Sequence, residues 1–139
     1  MYGIVVTERC LTIEVKLTSI ATQLPYAFPD NQIIRQKSVM VYGIETFTST
    51  QATKSPAGND IVTDAGAKGL ILNFLDNTSI NLVNQLPYYS LVTQANSGII
   101  REFKPFECVL QKSFVTIVDT TNLTANQSIL INLIYKPIK

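Results

Sequence analysis

The chain has 139 residues, with 11 Lys and Arg against 10 Asp and Glu, a net charge of +1, no His, no Trp and two Cys. This is the scale of one domain, residues 1–139, and a chain of this size buries enough apolar surface to fold without disulfides or metals. The near-neutral balance removes the electrostatic footprint of bulk nucleic-acid binding or of an anionic membrane surface, and the missing His removes the commonest general base and metal ligand together.

Charged residues make up only 15% of the chain, against about 25% in ordinary soluble domains. The polar surface must therefore come from Thr, Ser, Asn and Gln, which supply 42 residues. Ile, Val and Thr also total 42, and their branched Cβ atoms suit strands better than helices. Composition favours β structure, with a neutral surface more at ease when neighbours cover it, since net charge supplies much of the repulsion between copies.

The N-terminal stretch Met1 to Arg9 lacks a basic region and a long apolar run, so no signal peptide is expected. No run reaches the length needed to span a bilayer. Strands are expected from near residue 4 to near residue 135. Over Cys10 to Thr18, Leu11, Ile13, Val15 and Leu17 alternate with Thr12, Glu14, Lys16 and Thr18, the pattern of a half-buried strand. Pro25 and Pro29 around Tyr26 and Phe28 mark an ordered loop with aromatic anchors. A second strand region covers Ile33 to Thr48, with Gly43 as a candidate bulge.

From Ser49 to Gly69 small and turn-forming residues dominate. A loop this long in a compact domain is either mobile or engaged in contact, which makes Lys54, Asn59 and Lys68 candidate interaction residues. Leu70 to Leu75 and Ser79 to Val83, joined at Asp76-Asn77, form a hairpin pattern. Pro87-Tyr88-Tyr89 leads into Leu91-Val92, and Asn96-Ser97-Gly98 supplies a turn before Ile99-Ile100-Arg101. Phe106 to Val118 and Ser128 to Tyr135 are apolar on both parities, as in strands covered on both faces. No segment sustains a 3.6-residue period, and the pattern as a whole predicts an all-β, antiparallel two-sheet sandwich, a single jelly roll of about eight strands.

Gln23-Leu24-Pro25-Tyr26 recurs as Gln85-Leu86-Pro87-Tyr88, and each is followed by Ile-Ile-Arg, at Ile33 and at Ile99. Such an echo suits a pair of Pro-Tyr loops at corresponding corners of two sheets. Tyr26, Phe28, Tyr88 and Tyr89 are then either plugs for the open ends of the core or an exposed binding patch.

Chemistry finds little purchase. Cys10 and Cys108 lie far apart with no CxxC spacing and read as small buried hydrophobes in a reducing compartment. Asp64 to Gly69 lacks the P-loop spacing. Asp60 with Asp64, and Glu102 with Glu107, read as solvated loop charges. Asn77, Asn122 and Asn126 precede x-Ser/Thr but read as turn residues. The basic and aromatic cluster of Arg101, Phe103, Lys104 and Phe106 is outweighed by the neutral charge. No catalytic residue, metal site or cofactor is expected.

The stretches Glu107 to Phe114 and Thr120 to Tyr135, with Asn-, Thr- and Gln-rich turns, long apolar strands and few charges, resemble the C-terminal half of small β-sandwich virion proteins of bacteriophages. The resemblance implies a non-enzymatic structural subunit, a minor capsid, vertex or decoration protein. It would be located in the virion after assembly in the host cytoplasm, with other copies of itself and other virion proteins as partners. Such a homo-oligomer would use its neutral faces, the 49–69 loop and the Pro-Tyr loops as contacts. The competing class is a carbohydrate- or protein-binding module using Tyr26, Tyr88 and Tyr89.

Overall fold

The computed structural model describes residues 9–22, 24–28, 38–76, 82–92 and 101–137. Eight strands form two four-stranded antiparallel sheets: β1 Arg9–Leu17, β2 Tyr26–Ala27, β3 Val39–Phe47, β4 Leu70–Leu75, β5 Leu82–Pro87, β6 Arg101–Cys108, β7 Phe114–Ile117 and β8 Gln127–Pro137. One sheet runs β1-β8-β3-β6 and the other β2-β7-β4-β5. The pairings are nested: β4 with β5, β3 with β6, β2 with β7 and β1 with β8. The chain is thus one long hairpin, turned at β4–β5 and wrapped so that successive pairs fall alternately in the two sheets. This is the single jelly roll.

Alternation within strands builds the core between the sheets. Leu11, Ile13, Val15 and Leu17 of β1 face Ile129, Ile131 and Leu133 of β8 within one sheet. Leu70, Leu72 and Phe74 of β4 and Val115 and Ile117 of β7 come from the other. Phe28, Phe74 and Phe106 stack in tilted pairs with centroids 6.2 and 5.3 Å apart, closing one part of the core. Gly43 is the bulge its residue type predicts, since the register of β3 against β6 and β8 shifts between Val41 and Gly43. Gly69 is required by a close approach: a Cβ there would stand 2.3 Å from the Asp119 carbonyl oxygen.

Three expectations change. Phe106 to Val118 is not one strand covered on both faces: β6 ends at Cys108, a 3-10 turn spans Leu110–Lys112, and β7 starts at Phe114 in the other sheet. Both parities are apolar because the inward parity resets as the chain crosses between sheets. Cys10 is exposed while Cys108 is buried, because Cys10 shares the outward parity of Thr12 and Glu14. The two Pro-Tyr loops do not occupy corners of different sheets. Tyr26 begins β2 and Tyr88 follows β5, at opposite edges of the same sheet.

The expected strand start near residue 4, the residues Ile33-Ile34-Arg35, the Asn77 turn and the stretch Asn96 to Ile100 lie outside the described residues. Among the described residues, no helix is long and apolar enough to cross a membrane.

Candidate functional site

The 49–69 segment is a structured loop docked on its own sheet. Ile61 bridges Ser128 in parallel, with Val62 N–H donating to the Ser128 carbonyl (3.1 Å) and Ser128 N–H to that of Asp60 (2.7 Å), so the loop continues the first sheet beyond the end of β3. A single helical turn, α1 (Asp64–Ala67), follows and is capped by Thr63, whose Oγ1 accepts from Gly66 N–H at 3.1 Å. The Asp64 carboxylate accepts from the Thr48 and Thr50 hydroxyls, and these bonds hold its pKa below the usual range.

The main fastening is Glu14, on the outward side of β1. Its Oε2 accepts from Ser55 Oγ at 2.7 Å, Asn59 Nδ2 at 2.8 Å and Ser128 Oγ at 2.8 Å. Burial pushes this carboxyl up, but the bonds from Asn59, Ser55, Ser128 and the Ala57 backbone together outweigh burial and hold it below the ordinary carboxylate value. In the same sheet row stand Leu130, paired with Glu14, and Phe47, paired with Leu130. Leu130 points outward by alternation, yet it is 8% exposed and belongs to the core. Ala52 of the loop also packs against that core, so the loop covers an apolar row that an open sheet would expose.

The aromatic candidates separate. Tyr88 is fully buried. Its hydroxyl donates to the Phe47 carbonyl (2.5 Å) and accepts from Leu130 N–H (3.2 Å), and its own carbonyl accepts from Thr46 Oγ1 (2.8 Å). Tyr88 is therefore a strut beneath the Phe47–Leu130 row, and burial raises its pKa far above the ordinary value. It cannot join a surface platform. Phe28 is buried against Phe74. Tyr26 is half-buried and its hydroxyl donates to the Ser19 carbonyl, pinning the chain just after β1. The echo thus has a shared meaning: each Pro-Tyr tyrosine ties the end of a first-sheet strand.

Of the seven candidate interaction residues, only Lys68 and Tyr89 come together, the ammonium standing 5.0 Å from the ring centroid. Asn59 is committed to Glu14. Lys54 pairs with Asp60 across the loop neck with both side chains largely exposed. Such a pair contributes little to stability.

The remaining surface feature is the outward face of the second sheet, formed by Ala27, Phe114, Thr116, Ile71, Asn73, Gln85 and Pro87, with Val118 just past the end of β7. Neither acid nor base stands on it among the described residues. Its polar side chains bond sideways. Asn73 Nδ2 donates to Thr116 Oγ1 at 3.1 Å, and Gln85 Nε2 donates to Asn73 Oδ1 at 2.9 Å, leaving Asn73 only 4% exposed. Val118, by contrast, is 55% exposed. Val118 N–H donates to the Gly69 carbonyl, which places the Lys68–Tyr89 pair at the rim of this face. No residue-type signal marks this surface in the sequence, because it exists only when strands distant in sequence pair.

A recess between Ser38, Asp76, Glu107 and Cys108 has a volume of about 100 Å³. Burial, with Glu107 beside it, pushes the Cys108 thiol up to about 12, so it stays protonated and a poor nucleophile. No known protein family, curated protein or solved structure matches this chain.

Proposed function

We propose that the chain is a non-enzymatic structural subunit that works through protein–protein assembly contacts, in the setting its sequence resembles, the virion of a bacteriophage. The observation that carries this reading is the outward face of the second sheet, neutral and laterally hydrogen-bonded, with exposed Val118 and a Tyr89–Lys68 pair at its rim. Covering it with protein would bury apolar area without stranding a charge. Tyr89 is of the residue type that anchors such contacts. The partners would be further copies of the chain and other virion proteins.

The test is the solution mass by light scattering over a dilution series, for the wild type and for Val118→Asp. A concentration-resistant oligomer that Val118→Asp dissociates supports the reading. An oligomer indifferent to that change removes this face from it. Glycan binding abolished by Tyr89→Ala would replace assembly with the binding-module class, because of the candidate tyrosines Tyr26, Tyr88 and Tyr89 it is Tyr89 that is exposed.

A further inference from the structure

Four strands end the two sheets, β1 and β6 in the first and β2 and β5 in the second. A sheet edge carries unpaired N–H and C=O groups, and chains blunt it with short strands, Pro or bulges. Three of these edges are blunted. β2 has only two residues. β5 contains Pro87, and its register against β4 shifts between Phe74 and Leu75. β6 contains Pro105 and pairs with β3 across the Gly43 bulge.

β1 has no such device. Its nine residues include neither Pro nor Gly and keep an unbroken register with β8 throughout. Among the described residues, the outer edge of β1 meets no backbone partner.

We propose that a second copy of this chain covers that edge: two β1 strands pair antiparallel about a two-fold axis, Val15 beside the partner's Val15 and Glu14 opposite the partner's Lys16. The register follows from charge. Glu14 and Lys16 sit two residues apart on the same outward face. Antiparallel self-pairing centred on Val15 sets each carboxylate opposite the other copy's ammonium, and does so twice. Centring on Glu14 would oppose like charges, and centring on Ile13 would leave Glu14 facing Thr12 and Lys16 facing Cys10.

Both groups are available. Lys16 is exposed and pairs with no carboxylate among the described residues. Glu14 accepts from three side-chain donors at Oε2 and from the Ala57 backbone, bonds that favour its ionised form, so what it offers the partner's Lys16 is its negative charge. A Lys on an edge strand ordinarily guards against pairing, but here the Glu two residues earlier cancels the guard across a two-fold. Leu24, 46% exposed on the crossing from β1 to β2, adds apolar surface on the same side of the sandwich. The contact is isologous and stops at two copies, leaving the neutral face of the second sheet free for other contacts.

The measurement is sedimentation equilibrium from micromolar to millimolar protein, with Lys16→Glu and, in a Cys10→Ser background, the pair Thr12→Cys with Thr18→Cys. In this register Thr12 lies opposite the partner's Thr18. The expected result is a wild-type dimer, an increase of about tenfold or more in the dissociation constant for Lys16→Glu, and a disulfide-linked dimer for the double-Cys chain but not for Thr12→Cys alone. A wild type that stays monomeric throughout overturns the proposal. So does a dimer that ignores Lys16→Glu and forms no 12–18 crosslink. If Val118→Asp dissociates that second dimer, the neutral-face reading survives while the edge contact fails.

Discussion

The outward faces of the two sheets are built in opposite ways. The outward side of the first sheet carries acids and bases, Glu14, Lys16, Glu45, Glu107 and Lys136, and the chain then folds a loop over its central apolar row. The outward side of the second carries amides, hydroxyls and hydrocarbon and, among the described residues, no acid or base. The centre of the first face is closed within the monomer, where Glu14 accepts from Ser55, Asn59 and Ser128, while Lys16 at its edge stays in water. The second is finished only sideways, each amide bonding to its neighbour. A charged face that carries its own cover leaves a partner only its β1 edge, while one that has shed both charge and cover is suited to receive a partner across its breadth.

The largest expected effect comes from undoing the first face from inside. Tyr88 fills the core below the Phe47–Leu130 row and bonds to both backbones. Tyr88→Ala removes a large buried side chain and should cost about 3–5 kcal/mol in chemical denaturation. Tyr88→Phe keeps the volume but strands the Leu130 N–H, and should cost about 1–3 kcal/mol. Equal losses for the two variants would show that volume plays no part in the strut.

Undoing the same face from outside comes next. Glu14→Ala leaves the Ser55, Asn59 and Ser128 donors without their acceptor and should cost about 1–3 kcal/mol. Hydrogen exchange should rise across residues 53–62 and little elsewhere. The same carboxylate sets a pH dependence. Its folded pKa is lower than its ordinary 4.5, so its stabilisation is fully present above that value and is lost as pH falls through the folded pKa. Asp64 is lowered too and acts in the same window, so the wild-type curve must be compared with that of Glu14→Gln. The difference between the two should shrink as the pH falls below 4.5. A difference constant with pH would mean that Glu14 holds the loop by shape rather than by charge.

These two residues also mark what a linear reading can and cannot find. The alternation of β1 and the bulge at Gly43 are local patterns of parity and residue type, so they show in the sequence. Cys10 was open to the same reading, since it falls on the Thr12–Glu14 parity. The break between β6 and β7 was hidden because the crossing, Val109-Leu110-Gln111-Lys112-Ser113, contains no Gly or Pro. It is held instead by Ser113, whose Oγ donates to the Val109 carbonyl and accepts from Leu75 N–H. The role of Glu14 was hidden for another reason: its side-chain donors lie 41, 45 and 114 residues away. Tyr88 and Tyr89 are neighbours in one Pro-Tyr loop, yet one is a core strut and the other a surface residue. Only the geometry of the Tyr89–Leu91 turn separates them.

A smaller effect tests the loop through its backbone rather than its carboxylate. Gly58, at the exposed tip, has φ +85°, and a Cβ there meets nothing within 4 Å. Gly58→Ala therefore carries conformational strain without a clash, worth about 1–2 kcal/mol, and Gly58→Asn should recover part of the loss. Both should raise hydrogen exchange in the same segment as Glu14→Ala. A global loss without that local signature would mean that the loop and the sandwich unfold as one unit.

The smallest effect is expected on the second face, and its smallness bears on function. Val118 is 55% exposed, so Val118→Asp should shift monomer stability by no more than about 0.5 kcal/mol. An exposed apolar residue on a neutral face contributes little to folding that a polar one would not. If denaturation of the monomeric protein confirms that small shift while light scattering shows assembly lost, the hydrocarbon at this position serves a contact between molecules. If stability falls by several times that amount, Val118 is packed within the monomer and the contrast between the two faces loses its functional meaning.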